Sequence, residues 1–166
     1  MAAPALVALA AATPPPIPAA PALPAAGGSR QEAIDTLART LWGEARRQPV
    51  RVIEALASVV LNRVALAAEH GGGWWGDAVV PVCRRPGQFA CWTAGHPDHA
   101  AMLAVMAGEP VFDTCLRVAR RAMAGVLPDA TGGASHYHAD TDHPLWSAGE
   151  LPTAEIGGFL FYRIVE

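Results

Sequence analysis

The chain has 166 residues and a formal net charge of −3, enough for one ordinary domain and with no basic surface to attract a polyanion such as nucleic acid. Charged residues make up 16%, below the roughly 25% usual in globular domains. No stretch approaches the ~20 apolar residues that a membrane-spanning helix requires.

Residues 1–28 are almost entirely Ala, Pro, Leu and Gly, with Pro14-Pro15-Pro16, Pro18, Pro21 and Pro24 recurring and no charge. Proline fixes φ and lacks a backbone donor, so the run is expected to be an extended, solvated leader or tether. Ala5 to Ala12 has the texture of an export-signal core but lacks the positive start of such a signal. The expected destination is periplasmic or extracellular, by an export route left open. Residues 29–166 form the expected folded domain.

The first predicted helix spans Gln31 to Arg46. Its apolar residues Ile34, Leu37, Ala38, Leu41, Trp42 and Ala45 recur at helical spacing, and Ser29 or Gly28 is placed to cap it. A second helix, from Pro49 to about Ala68, carries Val52, Ile53, Leu56, Ala57, Val60, Leu61 and Val64, and is expected to be the central buried one. His70 and the glycines after it stop that helix. A loop region with Trp74, Trp75, Pro81, Pro86 and Trp92 follows to about Asp98. Two further helices are expected at about Asp98–Ala107 and Asp113–Gly125. Ala134–Ala139 and Phe159–Val165 then read as strands that pair in a small antiparallel sheet. Helices first and strands last make the fold class α+β.

Four features carry possible chemistry. With Ile34 at zero, the apolar arc of the first helix runs from about −60° at Leu37 to about +80° at Trp42, and Glu44 falls at its margin, about −80°. Neighbours there can partly dry a carboxyl, which raises its pKa and suits it to donate a proton. The plainer alternative is a solvated glutamate paired with Arg47. The run His136-Tyr137-His138-Ala139-Asp140-Thr141-Asp142-His143 sets two imidazoles on one side of a strand, for a metal or for hydrogen bonds to a ligand, without the helical spacing that marks zinc. Cys91 offers a thiol nucleophile, or with Cys83 a disulfide, or with Cys83 and Cys115 only packed thiols. Finally, Trp74, Trp75, Trp92 and Trp146 lie in loop-like sequence, where flat aromatic faces suit stacking on sugars or simply cover the core.

Leu41-Trp42-Gly43-Glu44-Ala45-Arg46, Val59-Val60-Leu61-Asn62-Arg63-Val64, Pro86-Gly87-Gln88-Phe89-Ala90-Cys91-Trp92, Thr131-Gly132-Gly133-Ala134-Ser135-His136-Tyr137-His138, and Ile156-Gly157 followed by Phe161-Tyr162 together resemble the SleB-like cell wall hydrolases, the spore-cortex-lytic enzyme family. Any one element is weak; five in order are specific. The resemblance implies a lysozyme-like α+β fold and cleavage of peptidoglycan between N-acetylmuramic acid and N-acetylglucosamine. It implies a lytic transglycosylase with Glu44 as acid and then base; a monomer working on peptidoglycan without metal or cofactor is expected. Gln88, Trp92, Thr131, His136, Tyr137 and His138 are the implied sugar contacts. Hydrolysis normally calls for a second carboxylate, and neither Glu54 nor Asp77 lies in a matched motif. Ser135, Asp140 and Gly157-Gly158-Phe159 depart from the family's commoner residues, which puts subsite detail in doubt. Two other readings are an amidase or peptidase on the same polymer and a non-catalytic wall-binding module.

Overall fold

The computed structural model describes residues 28–71 and 75–164. The leader up to Gly27, Trp74 and Val165 lie outside them. Helices α1 (Arg30–Ala45), α2 (Val50–Glu69), α3 (Val79–Arg84), α4 (His99–Ala104) and α5 (Pro110–Met123) precede strands β1 (His136–Ala139), β2 (Ala154–Ile156) and β3 (Phe159–Tyr162). The architecture is α+β, mostly helical, with a small antiparallel sheet at the C-terminal end, as expected.

Ser29 caps α1 by accepting from the Glu32 N–H at 3.1 Å, a contact worth about 1 kcal/mol. The helix that the others surround is α1, not α2 as its apolar content led us to expect: α1 packs against α2, α3, α4 and α5. The reason lies on its polar side. Thr36 and Thr40 are fully buried there, and the Thr40 hydroxyl is satisfied by the Thr36 carbonyl at 2.8 Å. Arg39 reaches over the end of α4 and donates to the carbonyls of Met102, Leu103 and Val105 at 2.7, 3.0 and 3.1 Å. These carbonyls are the unpaired acceptors of a helix C-terminus. A polar stripe thus becomes an interior surface.

Two helices begin where proline permits. Pro110 opens α5 three residues earlier than the expected Asp113, because the Glu109 carboxylate caps it through the N–H groups of Val111 and Phe112 at 3.2 and 2.6 Å. Pro81 is the third residue of α3, a helix placed in what reads as loop; a proline in the first turn forfeits no helical hydrogen bond.

The sheet order is β1-β3-β2, both pairings antiparallel, with Tyr137 opposite Phe161 and His138 opposite Leu160. The expected pair of strands is joined by the short β2. Gly157 and Gly158, at φ +59° and +82°, turn β2 into β3; both central positions of such a two-residue hairpin need positive φ. The β3 strand is central, so β1 is an edge.

Candidate active site

Glu44 lies in the last turn of α1, half-buried. It forms no ion pair with Arg47 among the described residues. Instead the backbone N–H of Cys91, in a 3-10 turn formed by Ala90–Trp92, donates to Glu44 Oε1 at 3.2 Å. The turn approaches this closely because position 43 is glycine. A Cβ there would lie 2.6 Å from Cys91 Cβ and 2.8 Å from its sulfur.

Two more groups converge on the carboxylate. Burial, then the charge of Glu44, push the Cys91 thiol far above its ordinary range. Burial, followed by the Glu44 charge, likewise pushes the Tyr137 phenol up. Tyr137 comes from β1 and its ring stacks on Phe161 of β3, with centroids 6.0 Å apart and an interplanar angle of 26°. One helix, one turn and one edge strand therefore meet at a single carboxyl group.

Beside it opens a cavity of about 510 Å³, lined by Gln88, His136, Tyr137, His138, Asp142 and Trp146 among others. Glu44 is not on that lining; it is linked to the cavity through Tyr137. All four residues of β1, His136 to Ala139, border the space.

Arg63 fixes the cavity floor. It is 5% exposed, donates to the Ser135 carbonyl and to Gln88 Oε1, each at 2.8 Å, and lies over the Phe89 ring. Burial lowers its pKa, opposed by Tyr137 and Cys83 nearby. The guanidinium orients Gln88 while its backbone carbonyl accepts the Trp75 indole N–H at 2.9 Å. The sequence reading gave Arg63 no role. A signal existed: on α2 it falls at about −60° from Val60, inside the apolar arc between Val52 and Val64, where an unpartnered arginine would be costly.

Of the six residues expected to contact sugar, Gln88, His136, Tyr137 and His138 come together on the cavity. His136 and His138 share one face of β1, as the strand period requires, and both pack on Trp146. The His138 ring is held by Tyr162, with its Nε2 at 3.0 Å from the phenol oxygen. Trp92 and Thr131 do not join them. The Trp92 indole N–H donates to Thr40 Oγ1 at 2.9 Å, and Arg84 covers its ring. Thr131 is fully buried. Its hydroxyl donates to Asp129 at 2.6 Å and accepts from the Ala134 N–H at 3.2 Å, shaping the turn that delivers β1. Asp129, which the sequence did not single out, organises that turn. Burial raises its pKa, but hydrogen bonds from Thr131, Asn62 and the Gly133 N–H outweigh it and hold the carboxyl below its ordinary range.

The remaining alternatives have definite positions. Cys83, Cys91 and Cys115 are all free and buried. Glu54 pairs with Arg121 at 2.6 Å, and Asp77 is exposed. Among the described residues, no three His, Cys, Asp or Glu side chains are grouped to hold a metal ion.

A family model described as Cell Wall Hydrolase matches residues 47–162. The match begins just after Glu44 and spans the Gln88 loop, β1 and the hairpin. The fold is similar to the catalytic domain of the Bacillus cereus SleB protein, with TM-score 0.64, 24% identity, and coverage of 88% of this chain and 99% of that one. It is also similar to the catalytic domain of the germination-specific lytic transglycosylase SleB from Bacillus anthracis. There the TM-score is 0.62 and the identity 25%, over 83% of this chain and 99% of that one. No curated protein sequence matches.

Proposed function

Because the chain belongs to the cell wall hydrolase family and is an enzyme acting on peptidoglycan, we propose that it cuts the glycan strand between N-acetylmuramic acid and N-acetylglucosamine, with Glu44 as the proton-transfer group. The observation that carries this reading is the convergence of the Cys91 N–H and Tyr137 on the Glu44 carboxylate, beside a cavity large enough for a sugar unit. The hydrogen bond from the Cys91 N–H fixes how the carboxyl is presented, and geometry of that kind is a precondition of general acid catalysis.

In the first step the Glu44 carboxyl gives its proton to the glycosidic oxygen as the bond from that oxygen to the muramic C1 breaks. The positive charge that develops at C1 faces the carboxylate left behind. Glu44 then accepts the proton of the muramic 6-hydroxyl while that oxygen bonds to C1. The result is a 1,6-anhydro end, with no water consumed and the enzyme back in its starting state. Gln88, His136 and His138 orient the sugars, Gln88 being held by Arg63. The SleB structure from Bacillus anthracis, a lytic transglycosylase by description, agrees with this chemistry. We place its action at the cell wall. No helix among the described residues is long and apolar enough to cross a membrane.

One observation favours a second product. Asp142 is on the cavity lining, and a carboxylate across a sugar from the acid can activate water. Mass spectrometry of digested peptidoglycan separates the readings. Anhydro-muramic ends are expected, reducing ends mean hydrolysis through Asp142, and freed stem peptides mean an amidase and overturn the proposal.

A further inference from the structure

We propose that Trp146 is the glycan-stacking platform of this cavity, taking the flat face of an N-acetylated hexosamine ring; the inference rests on the glycan-cleaving reading above. Trp146 belongs to a 3-10 turn, Leu145–Ser147, in the segment between β1 and β2. Its ring meets His136 at 5.2 Å and 53°, His138 at 5.4 Å and 71°, and Tyr162 at 5.4 Å and 90°. One tilted and two edge contacts with neighbouring rings hold the indole in place, yet it remains 40% exposed and lines the cavity.

The other described tryptophans are spent on the fold. The indole N–H of Trp42 goes to the Glu109 carboxylate, that of Trp75 to the Arg63 carbonyl and that of Trp92 to Thr40, each at 2.9 Å. Among the described residues, Trp146 alone of these four has no protein acceptor for its N–H. An indole fixed by its neighbours, with a free donor and a wet surface on a cavity wall, suits a ligand that is apolar on its face and polar at its rim. A pyranose ring is such a ligand.

The rest of the lining favours the glycan over the stem peptide. It offers an amide, two imidazoles, a phenol and the Asp142 carboxylate, groups that hydrogen-bond hydroxyls and acetamides. Stem peptides carry carboxylates, and the one guanidinium on the cavity, Arg63, is buried and engaged with Ser135 and Gln88.

Two variants separate stacking from packing. Trp146→Leu keeps an apolar cover over His136 and His138 but removes the flat face, and Trp146→Phe keeps a flat ring. Binding of a β-1,4-linked N-acetylglucosamine pentamer to the full chain is followed by intrinsic fluorescence, and turnover is measured on purified cell walls. Trp146→Leu is expected to weaken pentamer binding and raise KM roughly tenfold, with kcat within about twofold. Trp146→Phe is expected to stay within about threefold of the parent for both. Parental affinity in Trp146→Leu, equal losses in both variants, or equal competition by a free stem tetrapeptide would overturn the assignment. Failure of the parent to release any sugar ends from walls would instead sink the glycan-cleaving reading, and pentamer binding would still judge Trp146 alone.

Discussion

Glu44 and Cys91, 47 positions apart in sequence, are joined by a hydrogen bond from the Cys91 backbone N–H to Glu44 Oε1 at 3.2 Å. The contact ties the end of the first helix to the Gln88-Phe89-Ala90-Cys91-Trp92 loop. It exists because glycine at position 43 lets the two backbones close together. That dependence gives a substitution whose sign is informative.

Replacing a helix-interior glycine by alanine ordinarily stabilises by up to about 1 kcal/mol. Here the new methyl would lie 2.6 Å from Cys91 Cβ and 3.4 Å from the Met102 sulfur. Gly43→Ala is therefore expected to destabilise by about 1–3 kcal/mol, the usual range for overpacking, and to lower kcat as the turn moves off Glu44. Urea unfolding and wall-solubilisation rates check both; a stabilised, fully active variant would contradict the account.

Tyr137→Phe removes the hydroxyl on which the Glu44 charge acts while keeping the ring on Phe161. Losing a polar neighbour of the charged group, up to about 1.5–3 kcal/mol, corresponds to a fall in kcat of roughly 10- to 100-fold. The loss should appear in kcat more than in KM. A variant with raised KM and parental kcat would assign Tyr137 to ground-state binding instead.

Arg63→Met tests the cavity floor. Methionine fills much of the volume but leaves the Ser135 carbonyl and Gln88 without their donor. The expected cost is on the order of 3 kcal/mol, from two charge-assisted hydrogen bonds lost in a buried place. Denaturant midpoints measure it, and a change below about 0.5 kcal/mol, the scale of an ordinary surface substitution, would show that Arg63 is not the support described.

The thiols give a pH prediction. Burial pushes Cys83 and Cys115 up from an ordinary 9.0 to about 12. Between those values the unfolded chain loses thiol protons that the folded chain keeps, so stability falls as pH rises from about 9 towards about 12. Near neutral pH the folded thiols stay protonated and shielded. Iodoacetamide is expected to label none of the three in the native protein, to label all three after unfolding, and to leave activity unchanged, as is a metal chelator. Inactivation by alkylation of the native protein would favour the cysteine reading.

The helices and the last strand were legible because periodicity reports burial directly: Leu37, Leu41 and Val60 all lie in the core where their spacing puts them. The six-residue α3 was missed because Pro81 reads as loop, although its place in a first turn makes it harmless. The three-residue β2 is too short to show an alternation. Glu44 was found at the margin of its apolar arc, which periodicity can see. What the margin faces is set by contacts from far along the chain. The roles of Cys91, Arg63 and Asp129 in holding Glu44, Gln88 and the β1 turn were hidden for that reason. Thr131, a polar residue in a matched motif, is buried and bonded to Asp129 and the Ala134 N–H, contacts that spacing alone does not reveal.

Glu44→Gln puts the central claim to its most direct test. The amide keeps the size and shape of the side chain and accepts the Cys91 N–H, but has no proton to give. With wall binding verified by sedimentation and the fold by thermal unfolding, release of soluble sugar ends from purified peptidoglycan is compared with the parent. The account predicts retained binding and a rate lower by roughly 10²–10⁴-fold; clearance at the parental rate would show that Glu44 does not carry the proton.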